Sequence, residues 1–223
     1  MSIREEAENE RQKLKNMSWK DRAWYVWEYY KFHLLAVILV IGVLSTIGTM
    51  IYRQTFTTRL SVAIINDRSA GASSSALLES DLREYLGCGK KDLIEINEGL
   101  MVDFNEASFS QYGYATLAKI SALVASKSLD VVIGDQSAID HYETVSAYQN
   151  LEELLSPELY ERVKDHIYRA KDGEGNLTPV ALSLEDTALG EKTGIIMDPP
   201  YLAVIQGSPH KEAAIQMIEY LFP

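Results

Sequence analysis

The sequence predicts an α/β protein, an N-terminal transmembrane helix followed by one α/β lobe. Three observations carry this. Nineteen consecutive residues, "LLAVILVIGVLSTIGTMIY" from Leu34 to Tyr52, contain no charge. Beyond them, short runs rich in β-branched residues alternate with stretches of helical periodicity. The single cysteine, Cys88, leaves no internal disulfide, so the external part depends on a packed core.

Residues 1–17 interleave acids and bases without an apolar face, which predicts a polar cytoplasmic tail. Residues 18–33 hold all three tryptophans, Trp19, Trp24 and Trp27, together with Tyr25, Tyr29, Tyr30 and Phe32. Ser18 followed by Asp21 approximates a capping box, so a helix starts there. At 100° per residue Trp19, Ala23, Val26, Trp27 and Tyr30 share one face, with Lys20, Asp21, Glu28 and Lys31 nearly opposite. Trp and Tyr gather where a ring meets headgroups and its polar tip stays wet. Trp19, Trp24, Trp27 and Tyr30 therefore read as an interfacial belt; a docking face for another membrane protein is the alternative.

Residues 34–52 come close to the roughly 20 apolar residues that cross a bilayer core of about 30 Å. The run is longer than the apolar region of a signal peptide, and no A-x-A-like cleavage site follows it, so it reads as an uncleaved anchor. Seven Lys/Arg precede the span, and Arg53 and Arg59 follow closely. That bias puts the N-terminus in the cytoplasm and residues 53–223 outside, a single-pass protein of the cell membrane.

The external part is the size of one domain. "LSVAII" (Leu60–Ile65), ended by Asn66-Asp67, reads as a buried strand. "ALLESDLREYLG" puts Leu78, Leu82, Tyr85 and Leu86 at helical spacing, with Gly87 placed to end the helix. "LIEI" (Leu93–Ile96) is a second strand. Phe109 to Lys127 is a helix with Leu117, Ile120, Leu123 and Val124 inward, and Leu129 to Ile133 a third strand. This alternation with continuously apolar strands predicts a parallel sheet. Ala138–Ala147 looks helical, and "SPELYERV" starts a helix with Ser156 as cap and Pro157 in the first turn. "HIYRAKDGEGNLTPVALSL" is two strands joined by a turn, Tyr201–Gln206 another strand. "SPHKEAAIQMIEYLF" repeats the Ser-Pro start, with Ala214, Met217, Ile218 and Leu221 on one face.

Charge excludes one class of partner. Residues 1–32 carry 7 Lys/Arg against 6 Asp/Glu, and the remainder 14 against 26. So acidic an external domain does not suit nucleic acid or anionic headgroups. Cys88, in "LGCGK", reads as a small residue packed at a helix end.

Two stretches resemble a known family. "SLDVVIGDQSAIDHYETVSAYQNLEELLSPEL" is similar to the part of extracellular solute-binding proteins where a third strand leads into a helix and the rest of the lobe. "YLAVIQGSPHKEAAIQMIEYLF" resembles their closing strand–turn–helix pattern. The resemblance implies a three-layer α/β lobe of the periplasmic-binding-protein-like type. Those proteins are longer, close two lobes on a ligand and are usually held by a lipid, whereas this chain has room for one lobe and uses a helix.

Open α/β sheets place ligands beyond the carboxyl ends of their strands. The candidates are Asn66 and Asp67 after the first strand and Asp135, Gln136 and Ser137 after the third; the alternative makes them turn and cap residues, roles these types favour. No H-E-x-x-H, G-x-S-x-G or phosphate-binding G-x-x-x-x-G-K-[ST] motif is present, so the chain is not expected to be an enzyme or to need a cofactor or metal. "DHYE" (Asp140–Glu143) turns His141 away from its carboxylates, and "DGEGN" has Leu177 where a calcium loop needs glycine. His166 and His210 show no partner in the sequence. Two functions remain: a membrane-tethered module that captures or senses a small solute, as an accessory to a transporter if the resemblance holds, or a non-catalytic scaffold that binds another envelope or membrane protein.

Overall fold

The computed structural model describes residues 18–104 and 110–223; the expected tail 1–17 and the expected helix start at Phe109 lie outside these. The chain divides into two compact units, residues 1–55 and 56–223.

In the first unit one helix, α1 (Trp19–Arg53), runs unbroken for 35 residues, so the aromatic and apolar stretches are a single element. Ser18 caps it, accepting the Asp21 N–H and donating its hydroxyl to Asp21 Oδ2 at 2.7 Å. That is half of a capping box, because the Asp21 carboxylate takes the hydroxyl rather than the Ser18 N–H. At 1.5 Å per residue the helix is about 52 Å long. Lys31–Arg53 is long and apolar enough to cross a membrane, and an 18-residue window within it has a mean hydropathy of 2.6. Trp19, Trp24 and Trp27 are exposed, while the Tyr30 side chain lies outside the described residues. Thr46 and Thr49 donate their hydroxyls back to helix carbonyls (Val43 O at 2.8 Å, Ser45 O at 2.8 Å), which removes them as polar contacts.

The second unit is a six-stranded open sheet. Its elements are β1 (Thr57–Ile65), α2 (Ala76–Tyr85), β2 (Asp92–Leu100), α3 (Gln111–Ala125), β3 (Val131–Gly134), α4 (Gln136–Glu143), α5 (Leu151–Leu154), α6 (Pro157–Val163), β4 (Ile167–Lys171), β5 (Leu177–Ser183), α7 (Leu189–Thr193), β6 (Tyr201–Val204) and α8 (Lys211–Leu221). The strand order is β2-β1-β3-β6-β5-β4. The expected parallel pairing holds for β2, β1 and β3. The sheet as a whole is mixed, since β6, β5 and β4 join antiparallel. For β4 and β5 the reason is connection length: "DGEGN" is a tight hairpin turn, which permits only antiparallel neighbours.

Alternation along β1 splits the core in two. Leu60, Val62 and Ile64 face Leu78, Leu82, Leu159 and Met217. Ala63 and Ile65 face Ile120, Ala138, Ile139 and Tyr148. Successive residues of a strand point to opposite faces, so helices cover the sheet on both sides. α2 therefore packs on one face and α3 on the other, as the chain crosses from β2 over β1 to β3.

Several local expectations need correcting. Val124 is exposed, and the buried line on α3 is Gly113, Thr116 and Ile120. The helix expected over 138–147 ends at Glu143, and Ser146 turns the chain with φ +52°. Ser156 caps α6 as expected, but Ser208 does not cap α8. It is buried and donates its hydroxyl to Asp130 Oδ1 at 2.6 Å, while α8 starts after His210 without a side-chain cap. Cys88 is half-buried against the core, its N–H closing on Arg83 O at the end of α2.

Candidate functional site

The register of the parallel strands builds the site. Ile65 pairs with Leu100 of β2 and with Gly134 of β3, so the three strands end level with one another. The next residues of β1 and β3, Asn66 and Asp135, emerge side by side. Here the chain leaves β1 toward β2 on one side and reaches β3 on the other, the switch point at which open α/β sheets form crevices.

Asn66 is buried in the left-handed region at φ +65°, a conformation Asn tolerates better than most residues. Its amide side chain ties the three strand ends together. Nδ2 donates to both oxygens of Asp135 at 3.1 and 3.2 Å, and Oδ1 accepts the Val102 N–H at 2.8 Å. Its backbone N–H reaches Leu100 O at 2.7 Å. Asp135 also caps α4, accepting the Ala138 N–H at 3.0 Å and the Ser137 hydroxyl at 2.9 Å.

These groups form one wall of a cleft of about 400 Å³, closed by Arg68, Met101, Ser110, Tyr112 and Gly113. Ser110 caps α3 by accepting the Gly113 N–H at 3.0 Å, which sets the first turn of that helix against the cleft. Of the candidates named from sequence, Asn66, Asp135 and Ser137 line this cleft. Asp67 lines a neighbouring hollow of about 770 Å³ with Ala70, Gly71 and Ser73, sharing Arg68, Met101 and Tyr112 with the first. Gln136 points elsewhere, toward Asp140 at 3.4 Å, in a shallow surface site with Phe104 and His141.

Asp67 is consumed by the fold. It accepts the Ser69 N–H (3.0 Å), the Ser69 and Ser73 hydroxyls and the Ile196 N–H (2.9 Å), so it pins the β1–α2 loop to the segment before β6. Burial works to raise its pKa, and the donors from Ser73, Ser69 and Ile196 outweigh that and hold it below the usual carboxylate range. The turn-and-cap roles weighed for these residues are therefore real, and they coexist with a cleft. Sequence reasoning missed Arg68, Met101, Ser110 and Tyr112. Arg68 had the available signal, a cation directly after the Asn-Asp that ends a buried strand.

Two further polar clusters lie away from the cleft. At the other end of β3, Asp130, 1 % exposed, accepts the Ser61 N–H at 2.8 Å and the Ser208 hydroxyl, and faces His210 Nδ1 at 3.1 Å. His210 thus has a partner invisible in the sequence, and His166 packs its ring 5.0 Å from that of Phe222. At the end of α4, Glu143 is 2 % exposed, and among the described residues its Oε2 has no hydrogen-bond partner, as is also true of the Tyr142 and Tyr148 hydroxyls. Burial pushes the Glu143 carboxyl up to about 7; the Tyr148 N–H opposes this and Asp172 adds to it. Among the described residues no three His, Cys, Asp or Glu side chains gather as a metal site.

Compared with models of protein families, with curated proteins and with solved structures, the chain matches none.

Proposed function

We propose that this chain is a membrane-anchored, non-catalytic binding module: α1 holds it in the bilayer, and the α/β lobe outside the cytoplasm captures or senses a small solute, in the manner of a single periplasmic-binding-protein-like lobe serving a transporter. The observation that supports this is the cleft at the level ends of β1, β2 and β3. Its size falls in the range of small-molecule sites, roughly 300–1,000 Å³, and it lies where open α/β sheets bind ligands. Among the described residues no nucleophile–base pair lines it: their polar groups are an amide, hydroxyls, an arginine and carboxylates.

The test is thermal unfolding of the full chain in nanodiscs, followed by tyrosine circular dichroism, across sugars, amino acids, peptides and organic ions. A ligand at 100 times its Kd adds about 2.7 kcal/mol, a shift of several degrees for a domain of this size. A shift lost in a Ser137→Trp variant, which fills the cleft, supports capture at this place. A flat response across the library ends the capture reading in favour of the scaffold, whose partner is then sought by cross-linking in the native membrane.

A further inference from the structure

The two hollows beside β1 share one wall, and that wall carries an open cation. Arg68 is exposed at the boundary between them, flanked by Met101 and Tyr112. Its backbone is fixed, because its N–H donates to Ile196 O at 2.9 Å while the preceding Asp67 accepts the Ile196 N–H. Among the described residues its guanidinium makes no ion pair.

That is unexpected in a domain with so large an excess of acids, and the surroundings explain it. Three described carboxylates along these hollows are already engaged. Asp67 takes donors from Ser69, Ser73 and Ile196, Asp135 from Asn66, Ser137 and Ala138, and Glu98 the Ser75 N–H at 2.8 Å. Among the described residues no carboxylate neutralises Arg68, so its guanidinium donors are open to a ligand. A guanidinium presents a planar fork that matches a carboxylate with two parallel hydrogen bonds. The cleft that Arg68 lines also carries Ser110 and Ser137, and both hollows carry Met101 and Tyr112, whose hydroxyl is tied to Gly99 O.

Resting on the reading of the cleft as a solute site, we infer that its ligand is a small organic acid with an apolar body, its carboxylate received by Arg68 and its body laid on Met101 and Tyr112. The experiment is isothermal titration of the full chain in phosphatidylcholine nanodiscs. The probes are acetate, butyrate and phenylacetate, with phenylacetamide and phenethylammonium as matched neutral and cationic forms, and inorganic phosphate. The inference expects phenylacetate to bind more tightly than acetate and at least tenfold more tightly than its amide. Arg68→Ala, an exposed position that leaves the fold intact, removes that preference, and Arg68→Lys, which keeps the charge without the fork, retains part of it. The inference is overturned by amide or ammonium binding as tightly as the acid, by phosphate binding alone, or by full acid affinity in Arg68→Ala. In those cases the cleft still binds a solute and the capture reading stands. Silence from the acids overturns it as well; a response to neutral or cationic solutes then keeps the capture reading, and silence from every class removes both.

Discussion

Glu143 is the residue at which the fold meets pH. Its carboxyl is buried, one oxygen has no partner among the described residues, and another acid, Asp172, acts on it. The folded state therefore keeps its proton up to about 7, while the unfolded chain loses it near the ordinary 4.5. Between those values the native state binds more protons than the unfolded one, so stability falls as pH rises through the window and levels off above it. A shift of this size corresponds to at most about 3 kcal/mol, and less to the extent that water reaches the thin cover over the group. Denaturant unfolding from pH 4.5 to 8 is expected to show that decline, and Glu143→Gln to flatten it and to be the more stable protein at pH 8. A wild-type curve with no slope in this range refutes the assignment. In the sequence this glutamate is the last residue of "DHYE", a stretch weighed only as a metal site and set aside. Only the packing of the Tyr148 and Asp172 segments over it sets its protonation.

At the scale of elements, the β4–β5 hairpin shows how a local signal and a tertiary constraint combine. The turn was legible from "DGEGN": Asp172 accepts the N–H groups of Glu174 (2.9 Å) and Asn176 (2.8 Å), an Asp acting on its own turn. What the pattern did not reveal is that the turn lies against the end of α4. A Cβ built on Gly173 meets Thr144 O at 2.6 Å, a backbone atom that cannot swing aside. Gly173→Ala is thus expected to cost about 1–3 kcal/mol by overpacking. Gly175→Ala differs, because its place is open and only its φ of +88° opposes a side chain. Equal effects of the two substitutions in equilibrium unfolding would contradict the contact with α4. Elsewhere the elements divide in the same way. The β-branched runs of β1 and β3 marked buried strands because both their faces are covered. The edge strand β2 was read as four residues and extends over nine, since partial burial leaves a weaker pattern.

For the whole molecule, the lysine and arginine bias across α1 predicts that the α/β unit lies outside the cytoplasm. Protease added to intact spheroplasts should remove a C-terminal tag and spare an N-terminal one; the reverse pattern would invert the topology and take the cleft into the cytoplasm. The sequence by itself determined the apolar span, the identity of most strands and helices, and the caps at Ser18 and Ser156. All of these rest on charge, periodicity and hydrogen bonds within a few residues. Tertiary structure alone decided that the sheet is mixed, that Ser208 is sealed onto Asp130 across 78 positions, and that Gln136 turns away from the cleft. It also decided that Asn66 and Asp135, 69 positions apart, join across the strand ends. The physical reason is range. Propensity and pattern act along the chain, whereas the partner of a buried polar group is whatever the register of neighbouring strands brings beside it.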